Sequence, residues 1–525
     1  MLAAEPRRCE PISFVPRCLR EARSVWRENA NGGARRFAQH GKERQAKADE
    51  LFFAGIASEL CDGGRAVTTS GRTRQLGCPC GESEINHKVL RIFGQHGKRQ
   101  TMTKLPLPDH VARPKQAPTA LNGLLVVDFT RVVAGPGCTQ TLADFGAEVI
   151  KIENPDGGDD TRAYEHAEIA GESAAYLSLN RNKRGIALDL TVAEAREVAR
   201  ELISRADVVV ENFSASVMAK FGLDYASVAP TNPRLVYCSI SAYGRKGPFA
   251  SRPGFDPITQ AESGFMSLNG FPDRPPVRTG PPIVDMATAM SACNAILLAL
   301  IARDRLGRGQ HVEVALFDIA MGMTGFYGMA YLINGKNPGR FGNSPNDSPT
   351  VGVFQASDGP FYMACANDRL YRRLVTEVLE RPDMTSDPQF ATRKARSANK
   401  AKLRELITGI FAGDTLQHWM AKMKTANIPV GYLRTVEQGF DSPEARERHR
   451  LSRIAHPTAG FVPNIQTAIG MELTPAVDPV AAPLLGEHTE EVLRRTLGYD
   501  DRRIHALAEA GAFGKLRRAS ETATS

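Results

Sequence analysis

Between Leu124 and Phe129 the chain reads LLVVDF, apolar throughout except for one carboxylate, Asp128, near the end. A run of this kind predicts a central parallel strand buried on both faces. Ala134 to Gly137 (AGPG) breaks the pattern as a Gly/Pro turn. Cys138, Thr141, Leu142 and Phe145 then fall at i, i+3, i+4 and i+7, the spacing of a helix with one buried face. Val149 to Ile152 resumes the strand pattern, which completes a βαβ unit. Further strands are expected at Ile186–Leu190, Asp207–Phe213 and Leu235–Ser241, with a helical stripe at Ala195, Val198, Ala199, Leu202 and Ile203. Strands alternating with helices imply an α/β fold built on a doubly wound parallel sheet. Ligands of such sheets bind where the strands end in turns, which draws attention to the turn at Ala134–Gly137, to Asn212–Phe213 and to Ser241–Gly244.

From Arg245 to Pro282 the sequence is rich in Gly, Pro and Asp, which we read as an active-site loop region, because structureless connections this long are uncommon without a function. Asp285 follows, just before MATAMSACNAILLALIAR, an apolar helix ending near Gly307-Arg308-Gly309. Gln310–Phe317 alternates like a strand. After Asn334 comes a Gly/Asn/Ser/Pro loop to Pro349, two strand-like runs at Val351–Phe354 and Pro360–Cys365, and a mostly helical stretch to Thr425, together a smaller α+β domain. The expected organisation is therefore an extension at 1–118, a large domain at 119–330, a small domain at 331–455, and a segment at 456–525 returning to the large domain.

Composition sharpens this in one place. Residues 1–100 hold 18 Lys+Arg against 11 Asp+Glu, which is +7 of the chain's formal charge of +8. The basic pI thus belongs to the N-terminal tail and does not mark the body as a nucleic-acid binder. The tail also carries Cys9, Cys18, Cys61, Cys78 and Cys80, without regular zinc spacing, so no metal is expected. It reads as a disordered arm, a targeting segment or an untranslated extension, with Met102 as an alternative start. The other four cysteines sit in apolar surroundings, as in a reducing, cytoplasmic compartment. No unbroken apolar run reaches the roughly 18 residues of a membrane span.

The turn after the first strand lacks the G-x-G-x-x-G spacing of a dinucleotide site. It is either a packing turn or a loop for another nucleotide-bearing molecule. Six blocks decide between these: VAGPGCTQTLADFGAEVIKIENP, SLNRNKRGIALDL, ADVVVENFSASVMAKFGLDY, NPRLVYCSISAYGRKGP, GRGQHVEVALFD and PLLGEHTEEVL. In this order they resemble the class III CoA-transferases, the CaiB/BaiF family that includes formyl-CoA transferases and α-methylacyl-CoA racemases. The resemblance spans Leu121 to Tyr499. It implies a Rossmann-like large domain, a small domain, an interlocked homodimer, and coenzyme A as substrate and product with no tightly bound cofactor.

By its position, Asp285 is either a helix cap or a functional carboxylate. The resemblance makes it the nucleophile of acyl-CoA:carboxylate CoA transfer, through a mixed anhydride and an aspartyl-CoA thioester. It also implies CoA contacts at Val133, Ala134, Asn212, Phe213 and Lys220. Asn154 stands where formyl-CoA transferases carry Arg; Arg184 and Lys183 either replace that cation or belong to a solvated loop. Asp256 occupies a second acidic position and orients the substrate or Asp285. Gly342-Asn343 opens the expected substrate loop, which lacks the glycine run of formyl-CoA transferases and holds two prolines. Racemisation is the alternative activity, but Phe255 stands where racemases carry His, and Phe cannot accept a proton. His311 and His488 are expected to serve packing or hydrogen bonding.

Overall fold

The computed structural model describes residues 106–514 except Ala215 and residues 345–347. The basic tail and its cysteines lie outside the described residues. The large domain is built on six parallel strands: β1 Leu125–Asp128, β2 Glu148–Glu153, β3 Lys183–Ala187, β4 Val208–Glu211, β5 Val236–Ser241 and β6 His311–Ala315. They lie in the order β3-β2-β1-β4-β5-β6, so the winding direction reverses between β1 and β4. In sheets of this order a crevice opens beyond the C-terminal ends of the strands flanking the reversal.

The near-continuous apolar strands follow from burial on both faces. Val127, Phe129, Ile150, Ile186 and Val209 point to one core with helix α2 (Ala193–Arg205), and Val126, Val149, Val208, Val210 and Val236 point to the other. The second core is covered by α1 (Ala134–Asp144) and α4 (Ile283–Leu306); the short α3 (Asp256–Glu262) precedes α4. Because α1 leads from β1 to β2 and α4 from β5 to β6, both helices begin at the C-terminal edge of the sheet, on the same face.

Three of the shifts in the predicted boundaries have a local reason. The Gly/Pro turn at Ala134–Gly137 is the first turn of α1 itself, where Pro136 lacks only an N–H that the helix start leaves unpaired. A Cβ on Gly135 would lie 2.2 Å from Thr130, so glycine lets the helix start against the end of β1. Strand β3 begins at Lys183, earlier than predicted, because the ammonium of Lys183 finds its partners inside the protein. Strand β6 ends at Ala315, where α5 (Leu316–Gly322) begins.

Helix α4 is long and apolar enough by composition to cross a membrane, with a mean hydropathy of 1.7 over its best window. The polar Thr288, Ser291 and Asn294 hide this from a search for unbroken runs. Here it packs Val284, Ala292, Ile296 and Ala299 on the sheet, and Arg303 near its end pairs with Asp207 at 2.9 Å. It is the core helix of a globular domain.

The small domain is a three-stranded antiparallel sheet, β7 Val351–Gln355, β8 Pro360–Ala364 and β9 Val430–Tyr432, packed through Phe354, Phe361, Phe411 and Trp419 on its helices. Beyond it the hairpin β10 Leu451–His456 and β11 Gly460–Ile465 spans the expected boundary at 455, and its Ile454 and Val462 join Ile169 and Leu177 of the large domain. The chain then brings Val492, Leu493 and Leu507 into the first core of the large domain.

Residues 106–118, expected to lie outside the functional domain, run along this returning segment. His110 and the Arg113 amide reach Asp478 at 2.9 and 2.8 Å, and Asp109 pairs with Arg453 at 2.6 Å. Polar contacts of this kind leave no hydrophobic period in the sequence.

Several large apolar side chains are left open to solvent. Helix α6 (Gly325–Asn334) buries none of its residues, and Phe326 and Ile333 are 75% and 79% exposed. Met290 and Leu298 of α4 add to the exposed apolar surface.

Candidate active site

Helix α4 starts at Ile283 after Pro282, without a side chain of its own to cap it. The cap comes from α3: Asp256 Oδ2 accepts the amides of Val284 at 2.7 Å and Asp285 at 3.0 Å. Of the two readings open to Asp285 by position, capping thus falls to Asp256, and Asp285 keeps its carboxylate free. Among the described residues no donor is bonded to it. Burial, then the charge of Asp256, pushes its pKa up to about 7. A helix N-terminus favours the ionised form by typically under ~1 kcal/mol, whereas each pKa unit corresponds to ~1.4 kcal/mol, so burial and like charge dominate.

The crevice lies beside it. Arg131, just beyond β1, and Asn212, just beyond β4, exchange hydrogen bonds of 3.1 and 2.8 Å, and the Arg131 guanidinium lies 5.6 Å from the Phe213 ring centre. Between Arg131 and α1, Val132 holds φ at +72°, a left-handed conformation that a β-branched residue adopts only under constraint. The constraint is visible: the Val132 amide donates to Asp159 Oδ1 at 3.0 Å, and Asp159 Oδ2 meets Lys151 Nζ at 2.9 Å. Lys151 also donates to the Thr130 carbonyl at 2.6 Å.

Deeper still, Lys183 Nζ bonds Asp128 at 3.1 Å, the Pro136 carbonyl at 3.0 Å and Asn180 at 2.9 Å. Burial opposes the charge on Asp128, yet Lys183 and Lys151 overcome it and hold that carboxyl at about 2. Burial brings Lys183 down to about 8 against the pull of Asp128. This buried ion cluster braces the turn from which α1 departs.

Several of the expected residues come together at this edge. Val133 and Ala134 start α1, and a Cβ on Gly137 would sit 3.2 Å from Ala289 of α4, so the first turn of α1 is in close contact with the second turn of α4. Asn212 and Phe213 border the same crevice, and Lys220 is exposed on the following short helix, Val217–Phe221. Two expected cations do not join them. Lys183 is buried in the ion cluster. Arg184 sits near the N-terminal end of β3 and pairs with Glu148, the first residue of β2, at 3.1 Å, away from the strand C-termini. A polar Lys-Arg pair beside a strand looks like a phosphate loop in sequence; here alternation sends one side chain inward and ties the other to the opposite edge.

The profile of CoA-transferase family III matches residues 121–489. The chain belongs to that family. It is 40% identical over 380 residues to the succinate–glutarate CoA-transferase of Agrobacterium fabrum, covering 71% of this chain and 94% of the relative. It is 38% identical to the acetyl-CoA:oxalate CoA-transferase of Acetobacter aceti, covering 63% of this chain and 85% of the relative. A crystal structure of a CaiB/BaiF family protein from Brucella suis superposes with a TM-score of 0.64 at 37% identity, over 71% of this chain and 98% of that one.

As a family III CoA-transferase, this chain has an acyl-CoA and a carboxylate to accommodate. Phe255, at the racemase His position, is exposed beside Asp256 and carries no titratable group. Gly342, at φ +60°, donates its amide to the Gly270 carbonyl at 3.0 Å, and with Asn343 it lines a cavity of about 330 Å³ together with Leu268, Tyr327, Phe341 and Tyr362. Residues 345–347 of that loop lie outside the described residues. His311 bonds Ser239 at 2.9 Å and stacks on Tyr225, while His488 Nδ1 accepts the Gly185 amide at 3.3 Å.

Sequence reasoning missed three groups. Asp159 and Lys151 brace Val132, and the only trace of them is a polar cluster, GGDD, after a strand and a lysine inside it. Tyr164 is the third: burial, then the nearby charges of Asp160, Asp159 and Asp285, raises its phenol above the usual range.

Proposed function

We propose that this enzyme transfers CoA between an acyl-CoA and a free carboxylic acid by covalent catalysis on Asp285. The observation that carries the reading is the free, half-buried Asp285 carboxylate at the C-terminal edge of the sheet, with its pKa raised to about 7. A carboxylate so perturbed is a stronger base and nucleophile than an exposed one, and is still substantially ionised near neutral pH. A carboxylate oxygen of Asp285 attacks the thioester carbonyl carbon, the C–S bond breaks, and CoA leaves as thiolate from a mixed anhydride. The thiolate then attacks the aspartyl carbonyl, releasing the donor acid and leaving an aspartyl-CoA thioester. An acceptor carboxylate attacks that thioester and expels thiolate to give a second anhydride. Thiolate attack on its acceptor carbonyl forms the new acyl-CoA and returns Asp285. Each step exchanges one acyl bond for another without net oxidation.

In this reading the backbone at Val133–Ala134, with Asn212, Phe213 and Lys220, holds CoA in the crevice. A relative named for succinate and glutarate supports dicarboxylic acids as donor and acceptor, and one named for acetyl-CoA and oxalate supports a dicarboxylic acceptor. Helix α6, which buries none of its residues, and the exposed Met290 and Leu298 of α4 support a homodimer in which such apolar side chains are covered. Succinyl-CoA incubated with dicarboxylic acids from oxalate to adipate, followed by mass spectrometry of the CoA esters, should show exchange that Asp285→Ala abolishes. Exchange at the wild-type rate in that variant would overturn the proposal.

A further inference from the structure

Helix α3 is inside out. Its buried residues are Asp256, Thr259 and Gln260, all polar, while Ile258 is 46% exposed. Buried polar groups are costly unless every one is bonded, and Gln260, fully buried, uses its whole amide. Nε2 donates to Asp256 Oδ1 at 2.6 Å and to Thr279 Oγ1 at 3.0 Å, and Oε1 accepts the Thr279 amide at 3.1 Å. Thr279 Oγ1 passes its own proton to the Pro281 carbonyl at 2.9 Å. A flipped amide would set an oxygen against the Asp256 carboxylate and a donor against the Thr279 N–H, so only this orientation satisfies the network.

We infer that Gln260 is a positioning residue for CoA transfer, clamping Asp256 and the 279–282 strand of chain so that Asp285 is held in one place. Asp256 has two oxygens and two tasks. Oδ2 ties the first amides of α4, including that of Asp285; Oδ1, held by Gln260, fixes the carboxylate plane that makes this possible. Without the clamp Asp256 is free to turn, and both the start of α4 and the negative charge next to Asp285 shift. The other groups around Asp285 do not replace it. Tyr164 faces it from the loop after β2, Cys138 and Asp144 are the titratable groups buried on α1, with Asp144 paired to Arg181, and Asp318 of α5 is exposed. Arg278 is turned to the Thr279 and Gly280 carbonyls at 3.0 Å each.

The inference rests on Asp285 being the nucleophile, and the test keeps the two apart. Gln260→Leu and Thr279→Val are compared with wild type and Asp285→Ala for kcat, KM for succinyl-CoA, and the acid limb of the kcat/KM profile. Gln260→Leu is expected to lower kcat about tenfold or more, as small misplacements of reacting groups do, with KM changed by less than about twofold. Its acid limb should move to lower pH as Asp256 turns away from Asp285. Thr279→Val should move the same quantities the same way by less, and it carries the test if Gln260→Leu does not unfold cooperatively. A cooperatively folding Gln260→Leu with wild-type kcat and an unmoved acid limb overturns the clamp. Activity remaining in Asp285→Ala would instead overturn the nucleophile.

Discussion

Two carboxylates on the large domain, Asp128 at the foot of the crevice and Asp285 at the start of α4, meet burial with opposite results. Asp128 is surrounded by Lys183, Lys151, Thr130 and Thr139 and is held at about 2; Asp285 meets only another carboxylate and rises to about 7. Burial alone raises both. The neighbours decide the sign, and under the proposed function the sign separates a brace from a reagent. A saturated carboxylate has no lone pair to offer a substrate, whereas an unbonded one pressed against a like charge is costly to the fold and available for chemistry.

The contrast can be broken from either side. The largest expected effect is on turnover: Asp285→Asn should reduce CoA exchange by on the order of 10³-fold or more, as loss of a nucleophile does, measured with succinyl-CoA and a dicarboxylic acid. Asp128→Ala should leave Lys183 without its charge partner and destabilise the domain by about 3–5 kcal/mol, read by chemical denaturation. The same denaturation should give Asp285→Asn the opposite sign. The pKa of Asp285 is raised in the fold, so its favourable contribution is present below the ordinary carboxylate range and lost as pH rises through about 7. The Asn variant should therefore match wild type near pH 4 and exceed it by about 4 kcal/mol at pH 8. For Asp128 the folded value is depressed, so its contribution is present above the ordinary range and lost as pH falls toward about 2.

A gentler change sharpens the same point at the turn between these two sites. Val132→Gly relieves a left-handed β-branched residue and should raise stability by about 1 kcal/mol while weakening CoA binding, because the turn is no longer pre-set. Calorimetric titration with CoA alongside thermal unfolding checks both. A variant that gains stability and binds CoA as tightly as wild type would show that the strain serves no purpose in binding.

Much of this was legible before the fold was known. The alternation from Leu124 to Ile152 carries the first βαβ unit because strands buried on both faces write themselves as unbroken apolar runs, and the reversal at β1/β4 sets Asn212 and Phe213 at the crevice. What stayed hidden is polar and internal. Lys183 looked like a loop cation because its partners come from Asp128, Pro136 and Asn180, none of which marks the pairing in sequence. By position Asp285 could be a cap or a functional carboxylate, because an Asp at a helix start often caps it; the cap is Asp256, 29 residues away. The clamp at Gln260 and Thr279 leaves no periodic signal at all, since it satisfies hydrogen bonds and buries no apolar stripe.

The central claim, that Asp285 is the covalent nucleophile, is tested most directly by trapping. The enzyme is mixed with succinyl-CoA, quenched with hydroxylamine, digested, and sequenced by tandem mass spectrometry. An aspartyl hydroxamate at residue 285 that is absent without acyl-CoA is the predicted result. A hydroxamate at any other carboxylate, or none while exchange proceeds, would contradict it.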